Sequence, residues 1–272
     1  LCELVNRHST IRQMLGHGMF NEETYHFQTL KDNVGLLTPE LLDKINEIVV
    51  QAGHGVVKKK EGEALLGRCD SFVVETNVHY PTDINLLYDA MRKLITLIAD
   101  LCDRHGASDW RQSAYNVRHV KRLMRAAQNK KRGKAKSTER QEERETLIAQ
   151  AHQDYLEVAT KYLDKAGETL ARLAQQGLNS PWDIVMKLQI EGFMGHAARQ
   201  IDQTRRRVIL GQVIPHELKV FSIFEPHTEW ISKGKAGVPV ELGVKVCILE
   251  DQYRFILHHQ VMQQQTDEQV AV

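Results

Sequence analysis

A chain of 272 residues with 42% hydrophobic content can bury a substantial core, and its length suits one large domain or two modest ones. Its 36 basic and 35 acidic residues leave a formal charge of +1, so affinity for nucleic acid has to come from local clustering of charge rather than from the total. There is no apolar run of about eighteen residues and no signal-peptide pattern, and the expectation is a soluble protein of the cytoplasm, without a membrane partner.

Leu1 stands where a methionine would open a chain, and the first residues already follow an apolar helical pattern. At Ala271 and Val272 a helix is only beginning, so the sequence reads as a piece cut at both ends. Thr38-Pro39-Glu40 places a capping hydroxyl before a proline at the first helical position. Leu41, Leu42, Ile45, Ile48 and Val49 then recur at helical spacing up to Gly53. After Lys58, Lys59 and Lys60, the β-branched and aromatic run from Ser71 to Thr76 predicts a strand, with Asp70 at its start.

Asp83 is placed to cap the next helix, whose Leu87, Met91, Leu94, Ile98 and Leu101 share one face. Helical periodicity continues to about Arg207. Its longest stripe runs Leu147, Ala151, Tyr155, Val158, Tyr162, Ala166, Leu170 and Leu173, and Gly177 and Asn179 end it. Ser180-Pro181-Trp182-Asp183 restarts a helix with the stripe Met186, Ile190, Phe193, Ala197 and Ile201, so a helical hairpin is expected. Beyond Pro215 the period becomes alternating. Residues 220–224, 240–249 and 253–262 are three strand candidates, Leu242, Val244, Val246 and Ile248 point to one side, and Glu250-Asp251-Gln252 supplies a hairpin turn.

Arg118, Lys121, Arg122, Arg125, Lys130, Lys131, Arg132, Lys134 and Lys136 form a basic run free of acids, suited to phosphate binding or, more plainly, to a solvated loop between helices. Arg205, Arg206 and Arg207 form a smaller patch at a helix end, where cations also suit the dipole. Cys2, Cys69, Cys102 and Cys247 have neither zinc-ligand nor redox-motif spacing and read as buried thiols in a reducing compartment. No glycine-rich phosphate loop, nucleophile elbow or zinc-finger spacing is present, which argues against nucleotide hydrolysis, serine esterase chemistry and zinc fingers.

An acid flanking a strand is ordinarily a turn or cap residue. The stretch Cys69-Asp70-Ser71-Phe72-Val73-Val74-Glu75-Thr76-Asn77-Val78-His79-Tyr80-Pro81-Thr82-Asp83, however, resembles the first catalytic strand of bacterial insertion-sequence DDE transposases. A second block, from Phe221 through Glu225-Pro226-His227-Thr228-Glu229-Trp230 to Lys235, and on through Glu241 to Lys245, resembles the second and third strands of the same family's core. Asp267 falls where that family begins its next helix and reads as a cap.

The resemblance implies an α+β fold, predominantly helical, with a partial ribonuclease-H-like sheet interrupted after its first strand by a long helical insertion. It divides the chain into a partial N-terminal helical region (1–60), a first core strand (61–84), an insertion with the basic run and hairpin (85–212), and second and third core strands (213–272). It implies DNA cutting and joining, with Asp70 as catalytic residue and metal ligand. The family's second aspartate and its glutamate lie in stretches this sequence does not contain, and Asp164-Lys165-Ala166-Gly167 sits in a helical pattern and cannot stand in for them.

Two Mg2+ (or Mn2+) ions, held about 3.5–4 Å apart, are therefore expected only in a full-length protein, and this chain alone is expected to be inactive. The implied partners are double-stranded DNA at element ends and target, and further copies of the full-length chain; the implied location is the nucleoid. Lys233 and Lys235, with Lys245, lie where they could steer DNA or equally serve solubility alone, and His79 and His227 could touch DNA or organise the site but read more plainly as hydrogen-bonded structural histidines. Two rivals stand beside this reading: a non-catalytic DNA-binding or regulatory remnant of a mobile element, and a helical scaffold with no nucleic-acid role.

Overall fold

A computed structural model describes residues 1–18, 21–130, 137–232, 237, 239–263 and 265–270. In chain order they form α1 (Cys2–Arg7), α2 (Ser9–Met14), α3 (Phe27–Val34), α4 (Pro39–Val56), β1 (Arg68–Glu75), α5 (Asp83–Arg104), α6 (Ser113–Lys130), α7 (Thr138–Gly177) and α8 (Pro181–Thr204). A π-helical turn (Arg205–Ile209) and a 3-10 turn (His216–Leu218) follow, then β2 (Glu229–Ser232), β3 (Val240–Glu250), β4 (Ile256–Met262) and α9 (Asp267–Val270). The protein is α+β, about 60% helical, with a small antiparallel sheet of four strands. In that sheet β1 and β2 flank β3, and β4 also pairs with β3. The chain divides into two compact units, Leu1–Val74 with Lys245–Val272, and Glu75–Val244.

In the first unit, α4 forms because Thr38 accepts a hydrogen bond from Leu41 N at 3.3 Å and Pro39 presets the first turn. The β3–β4 hairpin docks on it. Its tip is longer than the expected three-residue turn: the buried Asp251 carboxylate accepts the N–H groups of Tyr253 and Phe255, both at 2.9 Å, and Arg254 takes φ 68°. His54 of α4 hydrogen-bonds the same carboxylate, and Asn46 Nδ2 donates to Ile256 O at 2.8 Å. Burial raises the Asp251 pKa, but the bonds from His54 and the two amides outweigh it and hold the carboxyl below its ordinary range. Tyr253 OH reaches Glu63 at 2.7 Å, so the polar stretch before β1 is tied to the hairpin tip as well.

In the second unit, α5 sits among α6, α7 and α8. The sequence predicts a single apolar face, and Leu87, Met91, Leu94, Ile98 and Leu101 are indeed fully buried. Burial extends well beyond them to Ile84, Leu86, Ala90, Ile95, Leu97, Ala99 and Cys102, because the helix is covered from several sides rather than one. Each such side chain contributes about 1.5–3 kcal/mol by leaving water. Within α5 the first-turn cap is Thr82, whose hydroxyl accepts Asn85 N at 3.3 Å; Asp83, the expected cap, is instead the first helical residue and pairs with Arg207 at 2.8 Å. α8 starts with the full capping box, Ser180 and Asp183 exchanging bonds of 3.1 Å in both directions. α7 and α8 do pack together, yet the most extensive contact of α8 is with α5, so the two long helices are part of a bundle and not a free hairpin.

Residues 220–224, expected as a strand, form none. Ile223 is buried in the helical core, Ser222 Oγ accepts Glu225 N at 3.0 Å to make a turn, and Phe221 packs on His216 and Trp230. Their alternation reflects insertion into separate pockets rather than pairing. The strand of this region is β2, in antiparallel register Glu229↔Gly243 to Ser232↔Val240 with β3. β4 pairs with the other half of β3, from Lys245↔Met262 to Glu250↔Ile256. On β3 the most buried residues are Gly243 and Cys247, on the side opposite Leu242 and Val246, which are only half-buried. The apolar side of β3 that the alternation marks is therefore not its more buried side.

Candidate functional site

Asp70 is the third residue of β1, inside the strand rather than at its start, and it is exposed. Its carboxylate accepts the N–H of Ser71 at 2.8 Å. In the same unit Asp267 pairs with Lys245 at 2.7 Å, and this ammonium, with the Ser71 hydroxyl, holds its carboxyl below the ordinary range. Asp267 therefore does not cap α9, where Thr266 N donates to Gln269 Oε1 instead at 2.9 Å, and Lys245 is engaged by a carboxylate rather than held ready for DNA. Among the described residues no three His, Cys, Asp or Glu side chains are grouped so as to hold a metal ion. Asp70 supplies a single hard oxygen donor, the kind that divalent magnesium prefers.

Cys69 and Cys247, scattered in sequence, meet across β1 and β3 with their sulfurs 3.0 Å apart. The hydrogen bond from Cys69, with burial, pushes the Cys247 thiol up to about 11. Cys69 is exposed, which corrects its reading as an isolated buried thiol. Cys102 is buried as expected, and burial pushes its thiol up to about 11.

In the second unit, the two stretches that carry the family resemblance come together although about 140 residues separate them. Thr76 and Thr228 hydroxyls lie 2.9 Å apart, and Thr76 N donates to Leu242 O at 3.1 Å. Tyr80 stands edge-on to Trp230 with ring centroids 5.6 Å apart, Phe221 lies 5.8 Å from Trp230, and His216 5.4 Å from Phe221. These rings, with Pro81, Lys219 and the Asp83–Arg207 pair, line a cleft of about 300 Å³. His79 pairs with Asp89 at 3.5 Å and His227 with Glu225 at 3.6 Å. Burial raises the Asp89 pKa, opposed by the charges of His79 and Arg92.

The basic run is helical as far as the structure describes it. Arg118, Arg122 and Arg125 recur at i, i+4 and i+7 and are exposed on one face of α6, with Lys130 exposed at its end. Lys121 is half-buried, its ammonium 5.9 Å from the Tyr88 ring, and belongs to a different face. Lys131, Arg132, Lys134 and Lys136 lie outside the described residues, as do Lys233 and Lys235. His119 lies close enough to this face that burial, Arg122 and Lys161 lower its pKa.

Arg205, Arg206 and Arg207 are not one patch. They form a π-helical turn, in which Arg206 bridges Asp202 at 3.4 Å and Gln212 at 3.0 Å, and Arg207 reaches Asp83. Arg205 is exposed beside a groove of mixed charge that includes Glu157, Lys161, Asp164 and Glu168. The aromatic cleft leaves no local mark in the sequence. Tyr80 and Trp230 are present in its two blocks, but nothing in either period or spacing says that the blocks touch.

Among the described residues no helix is long and apolar enough to cross a membrane. Compared with known proteins, the chain matches no family, no curated protein and no solved structure.

Proposed function

We propose that the chain is part of a DDE transposase that cuts and joins DNA, with a ribonuclease-H-like core split by the α5–α8 bundle. The observation that carries this reading is the meeting of the two family-like blocks, through Thr76 with Thr228 and Tyr80 with Trp230. Two stretches that independently resemble one core and then adjoin in space are hard to explain as unrelated coincidences. A small antiparallel sheet in which β1, carrying Asp70, pairs with β3 of the second block also supports this reading.

In this reading α6 grips duplex DNA through the phosphates facing Arg118, Arg122 and Arg125. Asp70 contributes one oxygen to the metal chemistry, and the family's second aspartate and its glutamate are still needed to complete the ligand set. Catalysis by in-line phosphodiester transfer needs the complete ligand set, so this chain binds DNA without cutting it. A remnant that only binds or regulates shares the same grip and differs in lacking the metal chemistry.

The test is duplex affinity measured against salt. Each phosphate neutralised contributes about 0.9 to the slope of log affinity against log salt, so Arg118→Ala/Arg122→Ala/Arg125→Ala should lower the slope by up to about 2.7. Undetectable duplex binding at low salt would remove the DNA reading and leave a helical scaffold.

A further inference from the structure

The cleft between the two family-like blocks has a composition that DNA gripping by α6 does not use. Tyr80 is 63% exposed, an unusual state for an aromatic ring within a cluster of aromatic rings. Trp230 and Phe221 form the wall behind it. Two cations border the rings. Lys219 is exposed, and Arg207, although paired with Asp83, keeps its side chain 49% exposed and so retains donors for a second anion.

We propose that this cleft is a subsite for one unpaired nucleotide of a nucleic-acid strand, its base stacked on the exposed face of Tyr80 beside Trp230 and its phosphate facing Lys219 and Arg207. Flat aromatic faces beside cations are the chemistry by which proteins hold unstacked bases, because every base offers a π face and every nucleotide a negative charge. The volume of about 300 Å³ is at the small end of ligand sites, room for a single base and not for a dinucleotide cofactor. A paired base inside a duplex has both faces covered by its neighbours and cannot enter. A proline-rich peptide also favours aromatic grooves, but it has no use for the two cations at the rim.

The inference rests on the nucleic-acid reading, and the experiment separates the two. The chain is titrated with tetrathymidylate and with an abasic tetramer carrying the same phosphates, followed by anisotropy and tryptophan emission, and in parallel with a duplex. Tetrathymidylate should bind about tenfold more tightly than the abasic strand and quench emission. Tyr80→Ala should abolish that preference, Tyr80→Phe should keep it, and Trp230→Phe should remove the quench while keeping the preference. Tyr80 is exposed enough that its loss leaves the fold intact, which thermal unfolding of the variant checks. Equal binding of the two tetramers, or a preference unchanged in Tyr80→Ala, overturns the subsite. If the duplex still binds in that case, the grip of α6 survives; if the tetramers differ while the duplex does not bind, the subsite stands and the grip of α6 falls.

Discussion

Gly53 and Gly55 lie two residues apart in α4, and the same substitution should act on them with opposite sign. A methyl group at Gly53 would fall within the van der Waals radii of Phe255 Cε1 and Cζ at the hairpin tip, whereas one at Gly55 meets nothing within 4 Å. Replacing glycine by alanine inside a helix is favourable by about 0.8–1.0 kcal/mol. Overpacking a close contact costs about 1–3 kcal/mol, and here relief requires Phe255 to move, which loosens the tip that His54 and Asp251 hold. Gly53→Ala should therefore be destabilising by up to about 2 kcal/mol, and Gly55→Ala neutral or stabilising by up to about 1 kcal/mol near the helix end. Urea unfolding followed by circular dichroism gives the two values. Hydrogen exchange at Phe255 N, bonded to Asp251, reports the hairpin tip directly. Equal shifts in the two variants, or a Gly53→Ala protein more stable than the parent, would refute the proposed contact between α4 and the hairpin.

Trp110 is 1% exposed, donates to Thr169 Oγ1 at 3.2 Å and lies 4.5 Å beneath the Lys165 ammonium, so Trp110→Ala should cost about 3–5 kcal/mol in a denaturant titration. Asp183 is held below the ordinary carboxylate range by His105 first and by Ser180, so its contribution is complete above that range and is lost as pH falls through its folded value. Asp183→Asn should flatten the acid limb of stability between about pH 2 and 5, seen as a urea midpoint that depends less on pH. Treatment with diamide, which takes up two hydrogens as two thiols join, should couple Cys69 to Cys247; a peptide map without that cross-link would count against the β1–β3 pairing.

The helices were legible in the sequence because their signals are local. Thr38-Pro39 and Ser180-Pro181 state where helices begin, and the stripes through Met91 and Ile190 name residues that are buried, though on α5 burial reaches further than its stripe. What failed was the part that depends on partners distant in sequence. Residues 220–224 alternate like a strand, but nothing local says that Ile223 enters the bundle and Phe221 the cleft. Asp83 and Asp267 both sit where a cap is expected, and each is drawn off by a cation, Arg207 or Lys245, that only the fold brings near. The meeting of the cysteines and the aromatic cleft were invisible for the same reason. Asp70 stands out through the resemblance alone, and the structure adds its strand neighbours but, among the described residues, no group of three candidate metal ligands.

A helix clothed on several sides has no intermediate degree of assembly open to it. Shedding α6 or α8 would strip water-excluded surface from α5 along most of its 22 residues, so residues 75–244 should come apart in one step. The same arrangement limits how such a stretch can change over time: trimming from one end exposes the hub, while growth at an outward-facing connection leaves it dressed.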